Sequence, residues 1–183
     1  MLESLLAYHC GPALAGIKPA NIAACNKARI SNLHKKIELL NEELNKTNIC
    51  IEILCECNAS ALVIVYRKNV LEKHLQNKDV RAFLTAYGYR KDMQVSEYLN
   101  FLKERFKENG FPHEVGAFLG YPLHDVYGFI NHRDKGCLLT GDWKVYKDAE
   151  NAKKLFLRYK ACKKALLKRV ANGATLAQIF CAA

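Results

Sequence analysis

The apolar positions of this chain change period several times, and each change predicts an element. Leu2 to Tyr8 reads as a short helix. His9 to Pro19 then carries Gly11, Pro12, Gly16 and Pro19, which predicts a shaped loop. Asn21 to Cys25 reads as the opening of another short helix. After Ser31, a residue suited to N-capping, Leu33, Ile37, Leu40 and Leu44 recur at helical spacing, with Lys35, Lys36, Glu42 and Lys46 opposite. From Ile49 the period drops to two. Ile49, Ile51, Ile53, Cys55 and Cys57 fall on one side and Glu52 and Glu56 on the other, the pattern of a half-buried strand. Asn58 to Ser60 turns the chain into Ala61–Tyr66, a continuous apolar run that predicts a central strand. The two strands should pair as an antiparallel hairpin.

Helical spacing returns over Val70–Gln76, Asp79–Tyr87 and Ser96–Glu108, the last with Tyr98, Leu99, Leu102 and Phe106 on its buried face. Two short helices should follow, one beginning at Pro112 and one at Pro122, with Gly120 as the left-handed C-cap between them. Gly136 to Tyr146 reads as a second hairpin around Gly141-Asp142. Trp143 and Val145 share one of its faces, and Lys144 and Tyr146 the other. A long helix is predicted over Ala149–Val170, striped by Ala152, Leu155, Phe156, Tyr159, Cys162, Leu166 and Val170 and ended by Gly173. Ala174 to Cys181 adds a tail helix. No linker, repeat or low-complexity tract divides residues 1–183, and strands do not alternate regularly with helices. The expected fold is a single helix-rich α+β domain with a small antiparallel sheet built from two hairpins.

Composition adds compartment. No apolar run approaches the ~20 residues a membrane helix needs. Met1-Leu2-Glu3 opens without a basic region, which argues against a secretory signal. A cytoplasmic protein without membrane contact is expected. The eight cysteines are scattered through the chain, so reduced thiols are the natural reading. Frequent free cysteine also suits life without oxygen.

Charge adds a surface. The net charge is +10, and residues 144–169 hold ten Lys and Arg against Asp148 and Glu150, so +8 of it lies there. The final helix should present a basic face including Lys153, Lys154, Lys163 and Lys164. Its aromatics, Phe156 and Tyr159, lie on the apolar stripe and are not interleaved for base stacking, and no nucleic-acid-binding signature stands out. An acidic protein is the better partner for such a face, and a solvated surface is the plain alternative.

The densest chemistry lies in Phe111–Val126. That run holds two prolines, two glycines, two histidines, two carboxylates and three aromatics. His113 and Glu114 fall in one first helical turn and Asp125 in the next. The helix dipole there favours a carboxylate and disfavours an imidazolium. Convergence of His113, Glu114 and Asp125 would make an acid–base unit. The plainer reading gives the carboxylates to helix N-termini and His113 to a backbone carbonyl. A zinc motif is excluded because position 117 is Ala, where a second histidine ligand would be needed.

Tyr121, Lys144 and Tyr146 could contact an anionic ligand, with Trp143 packed behind. Lys18 in the first glycine–proline segment is a weaker anion contact, since the spacing is not that of a phosphate-binding loop. Cys50, Cys55 and Cys57 lack zinc or iron–sulfur spacing and read as core. No motif specifies a cofactor.

Pro12–Pro19, Val65-Tyr66-Arg67, Gly88-Tyr89, Phe111–Pro122 with Asp125-Val126, and Gly141–Tyr146 together resemble the uncharacterised bacterial family catalogued as domain of unknown function 3793. The resemblance covers nearly the whole chain. It implies anaerobic, spore-forming bacteria and genes near those for flavodoxin or iron uptake, hence a redox or iron context. It implies no assigned activity.

Two roles follow. One is a small-molecule or cofactor site, enzymatic or not, with His113 as acid–base group, Glu114 or Asp125 orienting it, and Tyr121, Lys144, Tyr146 and Lys18 as contacts. The other is a non-catalytic adaptor whose basic helix docks an acidic partner such as flavodoxin, with nucleic acid as the lesser alternative.

Overall fold

A computed structural model describes residues 1–181. Its centre is an antiparallel sheet of β1 (Ala20–Asn26), β2 (Ile49–Glu56) and β3 (Ser60–Arg67), in the order β1-β3-β2. The continuous apolar run of β3 is explained by its position. It lies between two strands, and both of its faces are covered.

One face, with Ile64 and Tyr66, meets α3 (Lys68–Leu75), α4 (Lys78–Thr85), α5 (Val95–Asn109), α6 (Val115–Phe118) and α7 (Leu123–His132). The other face, with Ala61, Val63 and Val65, meets α1 (Leu2–Leu14), α2 (Leu33–Leu44), α8 (Ala149–Ala171) and α9 (Leu176–Phe180). A second hairpin, β4 (Leu139–Thr140) and β5 (Lys144–Val145), forms its own two-stranded sheet. Trp143 and Val145 bury on one face of it, as their alternation predicts, and join Ala152 and Tyr159 of α8 in a third, smaller core.

The α+β class holds, and both hairpins form. Five local expectations are corrected. The helix expected to begin at Pro112 starts only at Val115, so His113 and Glu114 lie in a turn before α6 rather than in its first turn. Asn21–Cys25 is not helical. It is part of β1, paired along its whole length with β3 from Ala20 opposite Tyr66 to Asn26 opposite Ser60. Small residues give this strand no readable alternation, and pairing with the open edge of β3 overrides their propensity.

The segment from His9 is not all loop, because α1 continues to Leu14 with Pro12 inside it. The N–H of Ala13 is satisfied by the Asn21 side chain at 3.1 Å. Gly11 allows α1 to approach α8 closely: a Cβ there would stand 3.3 Å from the Cα of Lys163.

The alternation of β2 does not run unbroken to Cys57. A bulge between Ile53 and Cys55 shifts the register, buries Leu54, and leaves Cys57 exposed beyond the strand. Finally, Asn32 rather than Ser31 caps α2, with left-handed backbone and no side-chain capping bond.

Candidate functional site

The Phe111–Val126 block and the β4–β5 hairpin fold against each other. Gly120 turns the chain between α6 and α7 with φ +69°, and a Cβ there would stand 2.6 Å from the Cδ of Pro19, so only glycine fits. Pro122 caps α7, and the first turn of that helix places Asp125 inward at 2% exposure. Its Oδ2 accepts the indole N–H of Trp143 at 2.7 Å. Its Oδ1 accepts the backbone N–H groups of Tyr146 at 2.7 Å and Lys147 at 3.2 Å. One carboxylate thus pins the hairpin to α7.

Trp143 stacks on Tyr121, with centroids 5.1 Å apart, and the Tyr121 hydroxyl donates to the Asp142 carbonyl at 3.0 Å. Tyr146 packs on Gly128, where a Cβ would lie 2.4 Å from its ring, and its hydroxyl donates to the carbonyl of Arg133.

Between these parts lies a cavity of about 220 Å³. Phe111, Val115, Val126 and Phe129 supply apolar walls, Tyr121 and Trp143 the aromatic floor, and His113, Asp125 and Lys144 the polar groups. Four of the residues singled out in the sequence therefore meet here: His113, Tyr121, Asp125 and Lys144.

His113 stands edge-on to Phe129, centroids 5.3 Å apart, and its Nε2 faces an N–H of Arg133. A guanidinium can only donate, so Nε2 accepts and the ring proton sits on Nδ1. Burial, reinforced by the Arg133 charge, lowers the pKa of His113 and favours this neutral form, with Glu114 opposing. The Lys144 ammonium pairs with Asp134, a carboxylate whose side chain is 78% exposed.

The other residues lie elsewhere. Glu114 does not line the cavity. It is 1% exposed and accepts the Arg105 Nε–H at 2.8 Å. Among the described residues, neither Glu114 nor Asp125 hydrogen-bonds to His113, so the structure does not join the three as an acid–base unit. Lys18 is buried behind Tyr121, its Nζ 4.6 Å from that ring's centroid and 5.8 Å from that of Tyr159. Lys153, Lys154 and Lys164 are exposed on α8, whereas Lys163 is partly buried and paired with Asp142.

Sequence reasoning passed over Arg133, Arg105 and His74. Arg133 follows α7 with φ +54°, a conformation no motif announces. A carboxylate inside an apolar block requires a cation, which was the available signal for Arg105. His74 donates from Nε2 to the Ala117 carbonyl at 2.7 Å and ties α3 to α6.

A family model described as Protein of unknown function (DUF3793) matches residues 6–180. The chain belongs to the DUF3793 family. The match takes in α6, α7, the β4–β5 hairpin and nearly all the surrounding layers of this DUF3793 protein, so the cavity lies wholly within the family's span. No curated protein and no solved structure matches the chain. Among the described residues, no group of three or more His, Cys, Asp and Glu is placed to hold a metal ion. No helix of the DUF3793 protein, among those residues, is long and apolar enough to cross a membrane.

Proposed function

We propose that this protein binds a compact organic molecule in the cavity between α6, α7 and the β4–β5 hairpin. The observation that carries the reading is the cavity's composition: aromatic and aliphatic walls with a neutral histidine and a lysine at the edge. Its volume of about 220 Å³ exceeds the ~150 Å³ that accommodates benzene, so a substituted ring or short acyl body fits. Lys144 favours a ligand with one acidic group, which would displace the exposed Asp134 at little cost because such surface pairs are weak. His113 offers its Nδ1–H as donor. Asp125 is a positioning residue here, since its oxygens already serve three N–H groups. The reading stops at binding: no carboxylate hydrogen-bonds to His113 among the described residues, and His124, whose Nε2 lies 3.5 Å from Asp125 Oδ1, does not line the cavity.

Trp143, the single tryptophan, reports on this site. Benzoate titrated at constant ionic strength should change its emission saturably. Phe111→Ala, which removes a half-exposed wall, should weaken the effect. A linear, non-saturating response, or an unchanged response in Phe111→Ala, would remove the proposal.

A second reading is supported by the outer face of α8. Between Asn151 and Ala171 there is no carboxylate, and Lys153, Lys154, Arg158, Lys160, Lys164, Lys168 and Arg169 are all exposed. Among the described residues, none of these seven forms an ion pair. Exposed Leu157 sits in their midst. This face suits an acidic protein of the flavodoxin kind. Lys163, committed to Asp142, is not among its contacts. Association should weaken steeply with salt and be lost on Lys153→Glu with Lys154→Glu; binding indifferent to both would dismiss this second role.

A further inference from the structure

We infer that the groove between α1 and α8, at the tip of the β4–β5 hairpin, is a second ligand site that takes a small phosphate ester with an apolar body. The groove holds about 700 Å³. Lys160, Lys163 and Lys164 of α8 line it, with Asp142 from the hairpin as the one lining carboxylate. That carboxylate is already bonded to Lys163. His9, on the opposite wall, adds no fixed charge, since burial and the Lys163 charge both lower its pKa.

An independent observation lies behind this wall. Lys18 is 2% exposed and, among the described residues, has no carboxylate within ion-pair distance. Its ammonium rests against the rings of Tyr121 and Tyr159, and the charged or titratable groups that act on it are Asp142, Lys163 and Cys10. Two inward-facing amines, Lys18 and Lys163, thus share a single carboxylate. A buried cation without its own counter-ion is costly, and a dianion seated on Lys160, Lys163 and Lys164 would supply the missing negative charge.

The apolar body is assigned from the remaining walls. Phe156 is held edge-on by Trp143 at 4.6 Å, and the Tyr8 ring is largely exposed across from it. The contiguous rings of Tyr121, Trp143 and Phe156 separate this groove from the aromatic cavity, so the two sites are distinct. Burial lowers the Lys18 pKa to about 8. A bound dianion favours the protonated amine, so binding near that pH takes up a fraction of a proton.

The test is calorimetric titration with 1-naphthyl phosphate, inorganic phosphate and 1-naphthol, repeated in buffers of different ionisation enthalpy. The ester should bind one to one, more tightly than phosphate or naphthol. Lys160→Glu and Lys164→Glu, both exposed, should each weaken it about tenfold. Lys153→Glu, outside the groove on the same helix, and Phe111→Ala, in the other cavity, should leave it unchanged. Proton uptake at pH about 8 should vanish in Lys18→Met. No binding at about 1 mM, or phosphate as tight as the ester, would overturn the proposal. So would equal loss in Lys153→Glu, which marks a diffuse basic face, or loss in Phe111→Ala, which marks the aromatic cavity. Heat independent of buffer would overturn the part given to Lys18.

Discussion

Asp125 and Trp143, eighteen residues apart, are joined by a 2.7 Å hydrogen bond from the indole N–H to a buried carboxylate oxygen. The same carboxylate holds the backbone of Tyr146 and Lys147. A two-stranded hairpin with two residues per strand has little stability of its own. Its position, and with it the floor of the cavity, depends on Asp125.

Asp125→Ala should therefore be a stability variant. It strands the indole N–H and two backbone N–H groups, at a cost of about 3 kcal/mol. Denaturant unfolding should show the loss, and the emission of Trp143 should shift to the red as the hairpin loosens. An unchanged midpoint would mean that the carboxylate does not anchor the hairpin.

Glu114 and Arg105 give a second prediction. Removing one partner of a buried pair leaves the other uncompensated. With Arg105 a quarter exposed, the cost should be near the low end of the range, about 3 kcal/mol for Arg105→Met. Replacing both together, as Glu114→Gln with Arg105→Met, should recover part of the loss. A double variant as unstable as the sum of the single ones would show that the two do not interact.

Lys18 gives a dependence on pH with a definite sign. Its folded pKa, about 8, lies below the ordinary 10.5, so the folded chain binds the proton more weakly than the unfolded chain. Below pH 8 the fold bears the full cost of the buried charge. Stability rises as pH climbs from 8 to 10.5, by up to roughly 3 kcal/mol. Buried tyrosines such as Tyr66, whose pKa is raised chiefly by burial, act oppositely at high pH. The test is therefore the difference between the wild type and Lys18→Met. The variant should be more stable at pH 7, and the gap should shrink by pH 10. A constant gap would argue against a titrating Lys18.

Gly120→Ala should cost about 2–3 kcal/mol, because it adds a left-handed backbone penalty to an overlap with Pro19. A thermal melt unchanged within a degree or two would show that the turn can relax.

Elements with one buried face were legible in the sequence. The stripes of α2, α5 and α8 each place apolar residues on a single side, and β3 announces its double burial as an unbroken run. The strand β1 was hidden because alanine and asparagine carry no alternation, and only pairing with β3 defines it. The continuation of α1 was hidden because Gly11 and Pro12 read as breakers, while their context is close contact with α8. At the site, spacing brought His113, Tyr121, Asp125 and Lys144 to one place. It could not show which partner each polar group takes. Ion pairs such as Glu114 with Arg105, and hydrogen bonds such as Asp125 with Trp143, leave no periodic trace. They are set by packing between elements distant in sequence.

The helical layer containing α1 also carries a consequence for synthesis. Its members α1 and α2 leave the ribosome first, whereas α8 and α9 emerge last, and Leu176 of α9 closes onto Glu3 through a backbone N–H. Throughout most of translation the face of Val63 and Val65 has only part of its cover. A nascent chain in that state presents apolar strand surface for the time needed to make the 104 residues between the end of β3 and the end of α8. Surface of that kind is prone to aggregation, and it stays open until α8 docks.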